Sequence, residues 1–331
     1  MNPRQNQQNE AWIARVRQPV QEGLLLSAHT TWRIGGPARW LLQPTTPVEL
    51  QQLLLSWPTG LPRLLLGGGS NLLVDDNGFD GVVLDLTRHM NRITLLPAAS
   101  AEEDGVLLQA EAGAGTRALA HFARSHGLTG LEFLGGIPGS VGGALRMNAG
   151  AYGGEVRDGL LECTLLDGEG NPHTLPLQQL GMGYRSTRIP PDWIFLSGRF
   201  RLQRGDPDAI RERMRHLNRQ RRQSQPLAFP SAGSTFKNPP EGPKAWQWIE
   251  AAGLRGAWSG QAQVSEKHCN FLVNRGGASS RDVRLLIDRI RERVCQAGGG
   301  VLALEIGIVA PSGLVADDAP NNHLSSHFQA S

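Results

Sequence analysis

The amino-acid sequence predicts an α+β fold with more than one subdomain. Its 331 residues exceed the usual size of a single hydrophobic core, so we expect two or three subdomains. Short apolar strands alternate with helical patterns, but none of these junctions carries the glycine fingerprint of a βαβ dinucleotide-binding unit. Forty-one glycines gather in a few clusters, which indicates tight turns and close approach of the backbone to a ligand.

Five parts are predicted along the chain. Residues 1–18 and 311–331 are polar or rich in Pro, Asn and Ser, and they lack periodicity, so we expect mobile tails there. The folded body between them is predicted to contain a first subdomain over 19–88, a second over 89–203 and a third over 204–310.

Composition argues against a disulfide-rich, metal-binding or membrane-spanning protein. Cys163, Cys269 and Cys295 are odd in number and far apart, and they lack metal or disulfide spacing, so we expect buried thiols in a reducing compartment. No apolar run approaches the roughly 18 residues of a membrane span. We therefore expect a soluble cytoplasmic protein without metal or membrane insertion. A net charge of +3 favours a moderately anionic small partner over nucleic acid.

Local patterns predict the main helices. Thr46 is placed to cap a helix that begins with a proline and has glutamate at its third position, and Pro58 ends this helix. Apolar residues at helical spacing predict further helices over 116–126, 206–222 and 280–297. Short apolar runs predict strands over 63–66, 72–74, 81–86, 106–112 and 301–309.

A first glycine segment consists of Gly67, Gly68, Gly69, Ser70 and Asn71, between two predicted strands. It has neither the spacing of a Rossmann fingerprint nor the lysine of a P-loop. Three glycines in a turn allow backbone N–H groups to face a diphosphate, and the serine and asparagine add side-chain donors. Considered alone, this segment is better explained as a glycine-rich turn without a ligand.

A second glycine segment is longer and more specific. It covers residues 135–143 (GGIPGSVGG) and continues through 147–155 (MNAGAYGGE). So many residues without a side chain destabilise a fold unless something large lies against the backbone. A flat, extended cofactor fits this need, and a buried turn without a ligand is the alternative.

Six motifs occur in the order found in UDP-N-acetylenolpyruvoylglucosamine reductases, and the chain resembles this family over about residues 20–310. The motifs are TTWRIGGPA, LGGGSNLLV, GIPGSVGGALRMNAGAYGGE, GYRST, SAGSTFKNP and VSEKHCNFLVN. The resemblance implies an FAD-binding fold of the vanillyl-alcohol-oxidase type, with two α+β subdomains over 19–88 and 89–203. It also implies a C-terminal α+β substrate domain over 204–310.

The resemblance also implies the reaction. NADPH would reduce FAD, and reduced FAD would then reduce UDP-N-acetylglucosamine enolpyruvate to UDP-N-acetylmuramate in peptidoglycan precursor synthesis. The expected partners are NADPH and UDP-N-acetylglucosamine enolpyruvate, and we expect a monomer. The only two tyrosines, Tyr152 and Tyr184, lie inside motifs, so the tyrosine-bearing lid loop of longer family members has no counterpart. The chain is therefore similar to the shorter form.

Three residues match the catalytic arginine, serine and glutamate of the family. Arg185 would hold the substrate carboxylate, Ser234 would donate a proton to the α-carbon, and Glu305, on the last predicted strand, would share a proton with the carboxylate. Lys237 or a water would assist the serine. Outside this context, such residues are more often a surface salt bridge, a turn residue and an edge-strand charge.

The remaining motif residues are predicted to bind ligands. FAD would be bound noncovalently by Arg33, Gly67, Gly68, Gly69, Ser70, Asn71, Gly135, Ile137, Pro138, Gly139, Ser140, Gly142, Gly143, Asn148, Ala149 and Gly150. The nucleotide sugar would contact Tyr184, Lys237, Asn238 and His268. For Tyr184 a role in the core, and for His268 a structural role, are equally acceptable interpretations.

Two other functions remain open at this point. The first is an oxidase on the same flavin fold with covalently bound FAD, for which His29 is the nearest candidate anchor. The second is a nucleic-acid-binding protein that uses the arginine-rich helix over 206–222. This second function leaves the glycine segments unexplained, and the helix lacks interleaved aromatic residues.

Overall fold

The computed structural model describes residues 3–97 and 105–315, which contain both helices and strands. The helices of these residues are α1 (Pro3–Ile13), α2 (Pro47–Leu55), α3 (Thr116–Ser125), α4 (Val141–Arg146), α5 (Leu177–Leu180), α6 (Pro207–Ser224), α7 (Ala245–Ala251) and α8 (Ser280–Gln296). Short 3-10 helices cover Leu26–His29, Glu132–Gly136 and Val156–Asp158. The four helices predicted from local patterns correspond to α2, α3, α6 and α8.

The strands are short, and the longest described one is β13. Those of the first half are β1 (Val20–Leu25), β2 (Pro37–Leu42), β3 (Arg63–Leu66), β4 (Leu72–Val74), β5 (Phe79–Asp85), β6 (Ile93–Leu95), β7 (Val106–Glu111), β8 (Leu128–Thr129), β9 (Gly150–Ala151) and β10 (Gly154–Glu155). Those of the second half are β11 (Leu160–Leu166), β12 (Pro172–Pro176), β13 (Ile194–Arg204), β14 (Trp258–Ser259), β15 (Ala262–Val264), β16 (Leu272–Asn274), β17 (Gly307–Ala310) and β18 (Gly313–Val315).

Helix boundaries follow from capping. The Thr46 hydroxyl accepts the N–H of Glu49 at 3.2 Å, as the sequence pattern predicts for the first residue before α2. Ser279 caps α8 in the same way and forms a capping box with Asp282. The buried face of α8 contains the predicted apolar stripe, Val283, Leu286, Ile287, Ile290 and Val294. Local sequence therefore accounts for the beginnings of these helices and for the packed face of α8.

The chain forms two compact units. The first comprises Met1–Leu25, Pro37–Ser70 and Phe79–Ser224, and the second comprises Leu26–Gly36, Asn71–Gly78 and Gln225–Ser331. These limits differ from the predicted subdomains, because α6 belongs to the first unit rather than to the third subdomain. The predicted first subdomain also gives two short segments to the second unit.

Core packing explains both differences. Ile210 and Met214 of α6 are buried in a core of the first unit. Trp32 is fully buried in the core of the second unit, and its indole N–H donates to the Leu272 carbonyl at 2.7 Å. Strand β4 pairs in parallel with β17 in that unit. Large apolar side chains therefore decide to which unit each segment belongs.

The first unit contains two larger sheets. The strand orders are β1-β2-β5-β3, and β12-β11-β13-β7-β6 with β8 paired to β13. In the first of these, β2 and β3 run parallel to β5, while β1 is antiparallel to β2. A separate two-stranded hairpin of β9 and β10 follows α4. Helices α3 and α4 contribute Leu119, Ala123 and Leu145 to the core beside the second sheet.

The N-terminal segment is helical, so the prediction of a mobile tail over 1–18 is wrong for α1. Ile13 is buried, and the Trp12 indole donates to the Ser56 hydroxyl at 3.2 Å. Glu10 forms an ion pair with Arg39 at 3.0 Å. The apolar residues at the end of this polar segment fix it to the first unit. In the C-terminal tail, residues 313–315 form β18, and residues 316–331 lie outside the described residues.

The second unit has two three-stranded sheets, β14-β15-β16 and β18-β17-β4, together with α7 and α8. The predicted strand over 301–309 begins only at Gly307. Before it, Leu304 forms an isolated bridge with Phe236. Glu305 therefore lies in an irregular segment and not on a strand, because its backbone pairs locally with a loop.

The exposure of the cysteines and the hydropathy of the helices test two expectations from composition. Cys163 and Cys269 are buried, whereas Cys295 is exposed, which corrects the expectation of three buried thiols. Cys295 follows the buried Val294 in α8 and lies on the solvent side of that helix. Within residues 3–97 and 105–315, the helices are too short or too polar to span a bilayer.

Candidate active site

The two glycine segments meet backbone to backbone within the first unit. A Cβ at Gly68 would lie only 2.7 Å from the Gly139 Cα atom. Gly139 has a φ of +121°, and a Cβ there would lie 2.8 Å from the Ser70 hydroxyl oxygen. The same hydroxyl donates to the Pro138 carbonyl at 3.1 Å. The absence of side chains at Gly68 and Gly139 therefore allows the predicted cofactor segments to pack against each other.

Several backbone N–H groups of the second glycine segment form hydrogen bonds with other groups of the protein. The N–H of Val141 donates to the Ala114 carbonyl at 2.7 Å, and that of Gly142 donates to Ala112 at 2.8 Å. The Gly143 N–H donates to the Ser140 hydroxyl, which caps α4. The N–H groups of residues 141–143 are therefore used within the protein.

Other donors of the two segments have no protein acceptor. Within residues 3–97 and 105–315, the N–H groups of Gly68, Ser70 and Gly139 form no hydrogen bond with the protein. Thr116 fixes the second segment from behind, because its hydroxyl donates to the Ile137 carbonyl at 2.5 Å. The first unit therefore presents a rigid turn region with backbone donors suited to an anionic group.

The Arg185 turn lies in the first unit. Gly183 and Ser186 close it, with the Gly183 N–H donating to the Ser186 carbonyl at 3.0 Å. Arg185 has a φ of +51°, which is uncommon for a residue with a Cβ. Its Nη2 atom donates to the Gly150 carbonyl at 2.6 Å. The guanidinium also lies 5.2 Å from the centre of the Tyr184 ring, and Tyr184 itself is 47% exposed.

Asn148, Ala149 and Gly150, which the resemblance places at the cofactor, have contacts within the protein. Asn148 is fully buried, and its side-chain amide binds Glu155 and the Gly183 carbonyl. The Ala149 N–H donates to the Ala144 carbonyl at 2.8 Å. A Cβ at Gly150 would lie 2.8 Å from the Gly154 carbonyl oxygen and 3.3 Å from an Arg185 nitrogen. Glycine is therefore required there mainly because a Cβ would clash with the Gly154 carbonyl.

In the second unit, Ser234 and Glu305 lie on neighbouring backbone segments. The N–H of Glu305 donates to the carbonyl of Thr235 at 2.9 Å, directly after Ser234. Phe236 bridges to Leu304 in the same pairing. Both predicted catalytic residues are half-buried. The structure therefore places Ser234 and Glu305 on adjacent backbone segments of the second unit.

Two asparagines hold this pairing. Asn270 accepts the Phe236 N–H through its side-chain oxygen at 2.9 Å and donates to the Phe236 carbonyl at 2.8 Å. Asn71 donates from its side chain to the Glu305 carbonyl at 2.9 Å. Asn270 lies inside the motif VSEKHCNFLVN, beside the predicted binding residue His268. Asn71, predicted to contact FAD, thus has a contact with the backbone of Glu305.

Lys237 and Asn238 follow the same loop. The Lys237 N–H donates to the Ala303 carbonyl at 2.8 Å, which extends the pairing with the Glu305 segment. The Asn238 side-chain oxygen accepts the N–H of Ala245 at 3.1 Å, at the first residue of α7. Both residues are half-buried. Asn238 therefore fixes the loop to a helix in addition to any contact with a ligand.

Arg33 occupies a strained turn in the second unit. It has a φ of +57° and is exposed. The Thr30 hydroxyl donates to the Ile34 carbonyl at 2.9 Å, and the Asn274 side chain donates to the Trp32 carbonyl at 3.0 Å. These contacts and the buried Trp32 hold the turn from the inside. The arginine is consequently presented on the surface of the unit, as a binding residue requires.

His268 lies between aromatic rings. Its ring centre is 4.9 Å from that of Phe271 and 6.3 Å from that of Trp246. The Asn270 N–H donates to its Nδ1 atom at 3.3 Å. Burial lowers the pKa of the His268 imidazole below its ordinary value of 6.5, and the charge of Arg255 lowers it further. The ring is therefore neutral near pH 7 and supports the Asn270 segment.

Two domain families match this chain. Residues 38–175 match the family described as FAD binding domain. Residues 225–309 match the family described as UDP-N-acetylenolpyruvoylglucosamine reductase, C-terminal domain. The predicted fold class, a flavin-binding fold followed by a C-terminal domain, is therefore confirmed.

Full-length relatives agree with the domain families. The chain is 53% identical over 293 residues to the UDP-N-acetylenolpyruvoylglucosamine reductase of Magnetococcus marinus, covering 88% of this chain and 93% of the relative. It is 42% identical over 280 residues to that of Azorhizobium caulinodans, covering 84% and 88%. The crystal structure of UDP-N-acetylenolpyruvylglucosamine reductase from Thermus caldophilus superimposes with a TM-score of 0.73 and 35% identity, covering 88% of this chain and 99% of that chain. These relatives confirm the resemblance that the six motifs predict.

The lowered pKa of His268 gives a testable pH dependence of stability. Because its imidazole is harder to protonate in the folded than in the unfolded chain, the unfolded state takes up the extra proton. The stabilisation is present above the unfolded pKa of about 6.5 and is lost as the pH falls below it. We expect His268→Gln to reduce the loss of unfolding free energy between pH 8 and pH 5, measured by urea titration.

His121→Gln is the matched control, because His121 is exposed on α3. This variant should keep the pH dependence of the parent protein. If His268→Gln and His121→Gln give the same pH profile as the parent, the buried imidazole does not contribute to acid sensitivity.

Proposed function

The chain belongs to the UDP-N-acetylenolpyruvoylglucosamine reductase family, and we propose on this premise that it reduces UDP-N-acetylglucosamine enolpyruvate to UDP-N-acetylmuramate with NADPH and FAD. The observation that carries the proposal is the backbone pairing of Glu305 with Thr235, the residue directly after Ser234, in the second unit. The product supplies peptidoglycan synthesis. We further propose a cytoplasmic monomer of the shorter form, without a tyrosine lid.

FAD fits the first unit. A diphosphate needs several N–H donors on backbone that it can approach closely, and Gly68, Ser70 and Gly139 offer such donors. We propose that segments 67–70 and 135–140 hold the cofactor noncovalently. When bound, FAD takes two electrons from NADPH and supplies them to the double bond of the enolpyruvyl group. The covalent oxidase alternative is not favoured by the reductase relatives.

Arg185 is proposed to bind the substrate carboxylate. Reduction of the vinyl ether at its terminal carbon places negative charge on the adjacent carbon and its carboxylate. A guanidinium stabilises that charge with two parallel N–H donors in a fixed fork. The Gly150 carbonyl and the closed turn restrict the orientation of this side chain before substrate arrives. Less reorganisation is then needed when the charge develops.

Ser234 and Glu305 are proposed to carry out the proton transfers of the reaction. Ser234 donates a proton to the α-carbon, and Glu305 shares a proton with the substrate carboxylate. A serine hydroxyl is a weak acid, so the proposal requires a nearby group to replenish the proton. The carboxyl of Glu305, on the segment paired with Thr235, is suited to this task. Lys237 follows three residues after Ser234 and is the second candidate.

Substrate recognition is proposed for three polar or aromatic residues near these groups. Lys237 and Asn238 are the cation and the amide that a nucleotide diphosphate favours. Tyr184 presents an exposed ring beside Arg185 that is able to stack on a sugar or a base. His268 supports the loop of Asn270 and is assigned a structural role.

The cofactor assignment predicts that Gly68→Ala lowers FAD content strongly. The added Cβ would lie 2.7 Å from Gly139, so the two segments must separate. Gly115→Ala is the matched control, because its Cβ would meet nothing closer than 3.9 Å. Flavin absorbance per polypeptide after purification measures both variants. Full flavin occupancy in Gly68→Ala would reject the proposed cofactor segments.

Separate half-reactions test Arg185 and Glu305. Arg185→Ala and Glu305→Gln should slow reoxidation of reduced flavin by the enolpyruvyl substrate and leave flavin reduction by NADPH nearly unchanged. Stopped-flow absorbance without oxygen measures the two steps. Arg188→Ala, which removes an exposed arginine of the same loop, should leave both steps unchanged. If Arg185→Ala slows only the NADPH step, the guanidinium serves nicotinamide binding instead.

Replacement of Ser234 tests proton donation. Ser234→Ala should lower turnover by about 10²- to 10⁴-fold with little change in substrate affinity, because a proton donor acts at the transition state. The variant should still allow deuterium from reduced flavin to enter the vinyl carbon reversibly. Ser234→Cys, which keeps an ionisable hydrogen, should retain some activity. Near-normal turnover with weakened substrate binding would show that the serine only positions the substrate.

A further inference from the structure

The buried side chain of Asn148 connects three backbone elements in the first unit. Its Nδ2 atom donates to the Gly183 carbonyl at 3.0 Å and to Glu155 Oε2 at 2.9 Å. Its Oδ1 atom accepts the Arg157 N–H at 3.1 Å. Both N–H bonds of the amide and one lone pair of its oxygen are therefore used within the protein.

These contacts leave one orientation for the amide. The Glu155 carboxylate and the Gly183 carbonyl only accept hydrogen bonds, whereas the Arg157 N–H only donates. The nitrogen of Asn148 must face the first two and the oxygen must face the third. Asparagine satisfies all three partners at once, and an aspartate of the same size would place oxygen against two acceptors.

Asn148 also has a backbone conformation that few residues adopt. Its φ is +39°, in the left-handed region where asparagine is several-fold enriched among residues with a Cβ. The chain turns there directly after α4 and reaches Gly150 two residues later. The Gly150 carbonyl is the acceptor for Arg185 Nη2 at 2.6 Å.

Asn148 therefore influences both the backbone and the guanidinium of Arg185. The side-chain amide holds the Gly183 carbonyl, at the start of the turn that contains Arg185. The left-handed backbone sets the direction of the chain toward the Gly150 carbonyl, which holds the guanidinium. Arg185 itself has a positive φ of +51°, a conformation that costs free energy and persists only where its surroundings enforce it.

We propose that Asn148 is a positioning residue for Arg185 and acts through the Gly183 turn and the Gly150 carbonyl, rather than as a contact to FAD. This proposal rests on the proposed function of Arg185 in binding the substrate carboxylate. It assigns to Asn148 a role in the substrate half-reaction alone. A contact to FAD, or a general role in folding, would affect flavin content and both half-reactions.

Two substitutions change the side-chain amide of Asn148 while they retain its backbone conformation. Asn148→Gly removes the amide but tolerates the positive φ, since glycine adopts this conformation without steric cost. Asn148→Asp keeps the size but places oxygens against Glu155 and Gly183. In the flavin-loaded enzyme, both variants should slow flavin reoxidation by the enolpyruvyl substrate by about 10- to 100-fold, because a small misplacement of a positioned group has this effect. Flavin content and the rate of reduction by NADPH should stay within about 2-fold of the parent enzyme.

A double-variant cycle gives the decisive readout. If Asn148 acts through Arg185, Asn148→Gly should have little further effect on reoxidation once Arg185→Ala is present. Independent roles would instead multiply the two losses. Asn91→Gly, at an exposed asparagine of the same unit, is the control and should change neither half-reaction.

The possible failures are distinct. If Arg185→Ala itself leaves reoxidation unchanged, the proposed function of Arg185 is wrong. If Arg185→Ala slows reoxidation but Asn148→Gly does not, or if the two losses multiply, the positioning role of Asn148 is rejected. Loss of flavin in both Asn148 variants would support the contact to FAD that the sequence alone predicts.

Discussion

The close approach of backbone to backbone at the glycine segments is the constraint on which the candidate cofactor site depends. Gly68 and Gly139 face each other at a separation that no Cβ could occupy. Gly142 packs in the same way on Ala112, where a Cβ would lie 3.0 Å from the alanine Cβ. Such contacts bring main-chain donors to a surface without intervening side chains. Many glycines increase the conformational entropy lost on folding, but residues with a Cβ do not allow this geometry.

Irregular backbone of this kind lacks the regular hydrogen bonds of helices and sheets, so other groups must satisfy it. Buried asparagines perform this task in each unit. Asn148 binds the Gly183 carbonyl in the first unit, and Asn270 binds both polar groups of Phe236 in the second. Asn274 accepts the N–H groups of Gly276 and Ala278 while donating to the Trp32 carbonyl. An amide both donates and accepts, so one side chain is able to replace part of a missing ladder.

The sequence predicts well what is decided locally and poorly what is decided by distant partners. Thr46 and Ser279 cap their helices through bonds that span three residues, and such patterns are visible in the sequence. The helix Pro3–Ile13 was missed because Trp12 is anchored by Ser56, a residue 44 positions away. Glu305 was assigned to a strand for a similar reason: its apolar neighbours suggest a strand, but its backbone pairs with a loop 70 residues earlier in the chain, at Thr235.

The same distinction applies to the candidate site, where the sequence identifies residues but does not show which contacts they make. Arg185, Gly150 and Asn148 all lie inside recognised motifs. The hydrogen bonds that link the Arg185 turn to Asn148 and Gly150 each join residues 35 positions apart in sequence. A residue inside a cofactor motif is therefore not necessarily a cofactor ligand. Asn71 binds the carbonyl of Glu305, a proposed catalytic residue, and Asn148 binds that of Gly183, in the turn of Arg185. In these motifs glycine provides access to the backbone, and the asparagines hold the loops that carry the proposed catalytic side chains.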